Sequence, residues 1–203
     1  MTADGLKWEG HAVVAQYDPD TIRFIASKTG LDVNVIGDAD HPLAMFDRYL
    51  SGPDRVVDAG HNLLTTVGVT AIVGLIAGAS AVAGQPMSPT SHAFAGVGAT
   101  NTAAVVGNVA LAADTGSAYY QVLDGTYPTE AAGVITAYST FTAANADFVW
   151  AEWCLGTVAG TITPGATLAS IGTTPKMWNR AVAALGTKVS PAVWTIQASI
   201  TIS

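Results

Sequence analysis

The sequence predicts a mainly β protein of the α+β kind. It should form an antiparallel β-sandwich body with one buried helix, preceded by a small mixed α/β N-terminal region. Three observations predict this. Hydrophobic residues make up 50% of the 203 residues and charged ones only 11%, less than half of the ~25% usual in soluble domains. From residue 93 onward, apolar runs are separated by Gly, Pro, Asn and Asp with no helical pattern between them. The last run, 193–202, alternates strictly, with Trp194, Ile196, Ala198, Ile200 and Ile202 opposing Val193, Thr195, Gln197, Ser199 and Thr201. Such alternation gives one buried face and one wet face.

Charge divides the chain. Residues 1–58 carry five of the eight basic residues and ten of the fifteen acids. They read as a charged docking region, joined after the Ser51-Gly52-Pro53-Asp54 turn signal to a nearly uncharged β-rich body, 59–203. Met1 to Gly10 is polar, without the basic and apolar regions of a signal peptide.

In the first region, 11–17 reads as a strand. Asp18 and Pro19 then suit the N-cap and first position of a helix that Gly30 would stop. Residues 31–36 alternate as a strand would, and 42–50 suit a second short helix with Leu43, Phe46 and Leu50 on one face. In the body, Asn62 is placed to cap a helix over 63–79, with Leu64, Val67, Ala71 and Leu75 on one stripe. The stretch 63–84 is the one membrane candidate, and Gly74 and Gly78 form a GxxxG pair. Its threonines and glycines make it weakly apolar, and no Lys or Arg follows before Lys176, so a buried or subunit-packed helix is expected. Residues 84–91, with Pro86 and Pro89, read as a loop. Strands are expected at 93–97, 117–123, 133–141, 148–155, 167–171, 178–183 and 193–202.

The composition excludes several classes. Apolar content is too high and charge too low for disorder. A net charge of −7 argues against nucleic-acid binding. The lone Cys154 excludes a disulfide scaffold and cysteine zinc sites. The four histidines form no metal pair. Asp38-Ala39-Asp40-His41 is the densest ligand-like cluster, and it reads as an acidic turn rather than a cation loop, which needs more oxygens. No GxSxG elbow supports a serine nucleophile. Gly96-Val97-Gly98 lacks the third glycine and the lysine of phosphate loops. The body acids Asp114, Asp124, Glu130, Asp147 and Glu152 make no recognisable catalytic pair. No cofactor is expected, and the chain does not read as an enzyme. Trp150 and Trp153 fall on opposite strand faces, so one of them is expected to meet a partner or a second sheet.

Several segments resemble small virion proteins of tailed bacteriophages. His61-Asn62-Leu63-Leu64-Thr65-Thr66-Val67-Gly68 resembles their "HNL…G" opening. Val97-Gly98-Ala99-Thr100-Asn101-Thr102-Ala103-Ala104, followed by Leu111-Ala112-Ala113-Asp114, is similar to their "VGTGTT-A…DTAL-E" segment. Phe148 to Leu155 resembles a "W-E-GLF" strand, and Trp178 to Val182 with Val193 to Ser203 resembles their "ARAVF…LTLTWTITLS" ending. The resemblance covers about residues 60–203. The chain departs from the pattern where Val97-Gly98-Ala99 replaces Gly-Thr-Gly and where the glycine after Glu152 is missing.

The resemblance implies a virion structural protein without catalytic residues. The expected function is a minor capsid or decoration protein on the outer shell, located at the virion surface. Its expected partners are the major capsid protein and further copies of itself, with no nucleic acid and no membrane. Arg23, Lys28, Arg48, Arg55, Trp150 and Trp194 are the candidate interface residues. The alternatives are a tail-tip or fibre component and a carbohydrate- or receptor-binding β-sandwich. For the last, Trp150, Tyr119, Tyr120 and Tyr127 are the candidate platform.

Overall fold

A computed structural model describes residues 8–76, 90–114 and 116–202. Two antiparallel sheets pack face to face, as the sequence predicts. The first sheet takes β1 (Trp8–Tyr17), β2 (Arg55–His61), β6 (Thr129–Ala131), β7 (Val134–Phe141) and β11 (Val193–Ile202), in the order β2-β1-β11-β7-β6. The second takes β3 (Leu63–Leu64), β4 (Ala93–Gly98), β5 (Ala118–Val122), β8 (Val149–Thr157) and β10 (Asn179–Thr187), in the order β3-β10-β8-β4-β5, with β9 (Lys176–Met177) paired to β8.

Strand β11 shows why the alternation was informative. It pairs with β1 from Trp8↔Ile202 to Tyr17↔Val193 and with β7 from Trp194↔Phe141 to Thr201↔Val134. That places Trp194, Ile196, Ala198 and Ile200 against the second sheet, while Gln197 stays exposed. Val14, Phe141, Val97, Trp153 and Leu185 complete the core between the sheets. The far face of the second sheet is also covered. Phe94, Tyr120, Cys154 and Met177 pack under Leu111, Val158, Ile162 and Ile171 from two long irregular segments. With both faces buried, β4 and most of β8 are apolar throughout and lose the two-residue period.

At one end of the first sheet, Val193 is covered by a small third cluster. It comprises α1 (Pro19–Thr29), a turn carrying Ile36, and the 3-10 segment Leu43–Tyr49. Helix α1 starts at Asp18 with Pro19 in its first turn and stops at Gly30, whose φ is 74°. The Asp18 side chain does not cap. Asp54 instead accepts the Asp18 N–H at 2.7 Å and the Thr21 hydroxyl at 2.9 Å.

Four expectations are corrected. Residues 31–36 form turns, because Asp32 Oδ1 accepts the backbone and side-chain N–H groups of Asn34 at 2.8 and 2.9 Å. The 42–50 helix is the 3-10 segment Leu43–Tyr49. Residues 167–171 hold the 3-10 turn Leu168–Ser170, in which Thr167 and Ser170 form a reciprocal capping box. The body helix α2 is Thr66–Ile76, capped by Thr65 and not by Asn62, because Leu63 and Leu64 pair with Arg180 and Asn179. Residues 77–79 of that expected helix, and 84–89 of the expected loop, lie outside the described residues. The boundary expected after residue 58 falls inside β2, and β1 sits in mid-sheet between β2 and β11. Among the described residues no helix is long and apolar enough to cross a membrane.

Candidate interaction surface

The charges of the body explain its surface. Arg180 on β10 and Glu152 on the neighbouring β8 are both fully buried, and Arg180 Nε donates to Glu152 Oε2 at 2.6 Å. The rest of the guanidinium fork reaches into the segment 99–117. Its Nη1 donates to Ala103 O at 3.2 Å and Asn108 Oδ1 at 3.0 Å, and Nη2 donates to Thr102 O at 2.7 Å. Glu152 accepts the N–H groups of Ala112 at 3.0 Å and Ala113 at 2.8 Å from the other end of the same segment. Gly98 leaves room for this, because a Cβ there would lie 2.5 Å from Glu152 Oε1. A planar five-donor cation suits such a site, where a point-charge lysine would not.

Other body charges are used internally as well. Lys188 is fully buried and donates to Asp147 Oδ1 at 2.7 Å and Thr142 O at 2.8 Å. Burial pulls its ammonium pKa down, and Asp147 opposes that shift. Asp114 accepts the Tyr120 hydroxyl and the Leu168 N–H, both at 2.6 Å, and so joins the segments 99–117 and 158–175. Asp124 accepts the Thr140 hydroxyl at 2.6 Å and N–H at 3.1 Å, while burial raises its carboxyl pKa. The Cys154 thiol is fully buried and pushed well up by burial and by Glu152. This leaves Glu130, exposed and accepting the Gly133 N–H, and Lys176, half-buried beside α2. Among the described residues Lys176 makes no ion pair.

The outward sides of α2 and of the turn 105–109 carry uncharged, β-branched residues. Helix α2 buries Gly68, Ala71 and Gly74, and the approach is close: a Cβ on Gly68 would lie 2.1 Å from the Trp178 carbonyl oxygen. Its outer face carries Val69 and Val73, one turn apart. The Thr66 N–H donates to Val106 O at 2.7 Å, which sets the turn 105–109 against the helix start. That turn exposes Val105, Val106 and Val109. A shallow groove of about 160 Å³ between Thr66, Thr70, Ala71 and Lys176 borders the same face.

The residues singled out from sequence are dispersed. Arg23 pairs with Asp20 at 3.0 Å, Lys28 lies 5.4 Å from the Phe24 ring centre, Arg48 lies 4.6 Å from that of Tyr49, and Arg55 opens β2. All four are exposed, but they stand among eight aspartates between residues 18 and 58, so this end is acidic. Trp150 and Trp194 offer a partner nothing. They are 0% and 3% exposed, and their rings pack edge to face at 4.9 Å inside the core. Of the candidate sugar platform, Tyr120 and Trp150 are buried, Tyr119 packs edge-on against Phe141, and Tyr127 stacks on Tyr138 at 5.2 Å. The cluster at Asp38 is a turn whose carboxylate accepts the N–H groups of Asp40 and His41 at 3.0 and 2.7 Å. Among the described residues no group of three or more His, Cys, Asp or Glu is placed to hold a metal ion.

Sequence reasoning missed the valine surface. Its signal in the sequence is the absence of any Asp, Glu, Lys or Arg from 59 to 113. No family model, no curated protein and no solved structure matches this chain.

Proposed function

We propose that the chain is a structural protein of a bacteriophage virion, a minor capsid or decoration protein that binds the outer shell. One observation carries the reading. The segments that resemble phage virion proteins meet in one buried clamp: Glu152 and Arg180 hold Thr102, Ala103, Asn108, Ala112 and Ala113. The clamp suits an architectural role, since both charges are spent inside the molecule, on each other, on the Asn108 side chain and on backbone groups of a surface segment. An uncharged, rigid surface suits a subunit whose neighbours cover it.

Co-sedimentation with purified heads and purified tails of the cognate phage tests this reading. Saturable binding to heads is expected. Binding to tails alone would replace the capsid assignment with the tail-tip or fibre one, and binding to neither would overturn the proposal.

A further inference from the structure

We propose that His11 and His61 form a binding site for a divalent transition metal of the zinc class, with Asp58 as the carboxylate that orients His11. The two histidines lie far apart in the sequence and share no motif. The strands bring them together. His11 on β1 is the register partner of His61 on the edge strand β2, and their ring centres lie 5.4 Å apart. Two imidazoles on one tetrahedral ion, with metal–nitrogen bonds of ~2.0–2.1 Å, have ring centres roughly 5 Å apart.

A bulge builds the site. Asp58 and His61 are separated by two residues on one strand, so a regular pleat would send them to opposite faces. Between the pairs Val13↔Asp58 and His11↔His61, β2 carries Ala59 and Gly60 where β1 carries only Ala12. Gly60 has a φ of 70°, which glycine adopts without a Cβ penalty. The extra residue turns Asp58 and His61 to the same side, as bulges do where a side chain is re-aimed. That side is the outer face of the first sheet, since Ala12 and Val14 point into the core.

Asp58 then fixes His11. Its Oδ1 lies 2.8 Å from His11 Nε2 and accepts the Gly60 N–H at 2.7 Å. The Gly60 N–H and, after it, His11 hold this carboxyl below the ordinary carboxylate range. An ionised carboxylate only accepts, so Nε2 carries the proton, and the neutral ring keeps its lone pair on Nδ1 for a metal. Giving the second ring N–H to a carboxylate is the usual arrangement of a metal-bound histidine.

The donor set selects the ion. Imidazole suits zinc, copper and nickel, whereas calcium and magnesium take oxygen. His11, Asp58 and His61 all reach solvent, so water completes the shell. Two protein ligands are fewer than the four of a structural zinc centre, and the ion therefore exchanges with solution. When bound, it ties the edge strand β2 to β1.

Isothermal titration calorimetry of the full chain with zinc chloride tests the proposal. One zinc ion per chain is expected, and none of magnesium. His61→Ala is expected to abolish binding, Asp58→Asn to weaken it by about 10–100-fold, and His41→Ala to leave it unchanged. In the wild type, zinc should shift the ring proton resonances of His11 and His61 and not those of His41 and His92. That spectrum needs no variant, so it decides the matter even where a substitution disturbs folding. No binding at millimolar zinc, equal binding of magnesium, binding that survives His61→Ala, or shifts confined to other histidines would each overturn the proposal. The site is independent of the virion reading: head binding is measured without added metal, so either can fail alone.

Discussion

Removing Glu152 alone strands a guanidinium with 0% exposure. Breaking a buried pair from one side costs about 3–5 kcal/mol. Glu152→Gln is therefore expected to lower the denaturation free energy by about that much and to open the segment 99–117 to proteases. The double change Glu152→Leu with Arg180→Leu should cost less than the two single changes summed, because neither charge is then left unpaired. Urea titrations of the four proteins measure this.

Asp124 makes a second prediction at the same scale. Burial raises its native pKa, so the native state holds a proton that the unfolded state has released. Stability is then highest below the unfolded carboxyl value of about 3.9 and falls as pH rises through the raised native value. In Asp124→Asn this acid-side slope should flatten, which thermal midpoints from low to neutral pH would reveal.

Among the elements, α2 depends on one hydroxyl. Thr65 Oγ1 accepts the Gly68 N–H at 3.0 Å and donates to the Met177 carbonyl at 2.8 Å. It both caps the helix and ties it to β9. Thr65→Ala is expected to cost about 1–2 kcal/mol, with hydrogen exchange faster through α2 than through β11.

The same scale shows what the sequence could reveal. Strand β11 was legible because one of its faces is buried and the other is largely wet, so composition follows the pleat. Strand β8 was less clear because loops cover its second face, and that burial depends on contacts distant in sequence. Residues 31–36 alternate without being a strand, since the local bonds of Asp32 compete with sheet formation. Strand β2 was missed because its Val-Val-Asp-Ala-Gly run is weak by itself and is defined by pairing to β1. The clamp was present only as letters. Glu152 and Arg180 are 28 positions apart, and only the register of β8 on β10, with Val182 opposite Glu152, brings them together.

For the whole molecule, the distribution of charge matters more than its amount. Of the body charges, Glu152, Arg180 and Lys188 are buried and Asp114, Asp124 and Asp147 are bonded within the molecule, while the acids concentrate between residues 18 and 58. Burial also raises the pKa values of Tyr17, Tyr119, Tyr120 and Tyr138. Above about pH 10 the unfolded phenols ionise while these four keep their protons. The unfolded state then binds fewer protons, so stability falls as pH rises through that range. Lys188 has the opposite sign: its native pKa is lowered, so its contribution grows as pH approaches its unfolded value. Thermal melts across the alkaline range should therefore show the loss setting in as tyrosine ionises, and Tyr138→Phe should reduce it.

The most direct test of the account is a cryo-electron microscopy map of the cognate virion with this chain located in it. The account predicts density at regular lattice positions on the outer shell. Absence of the chain from the particle would contradict it.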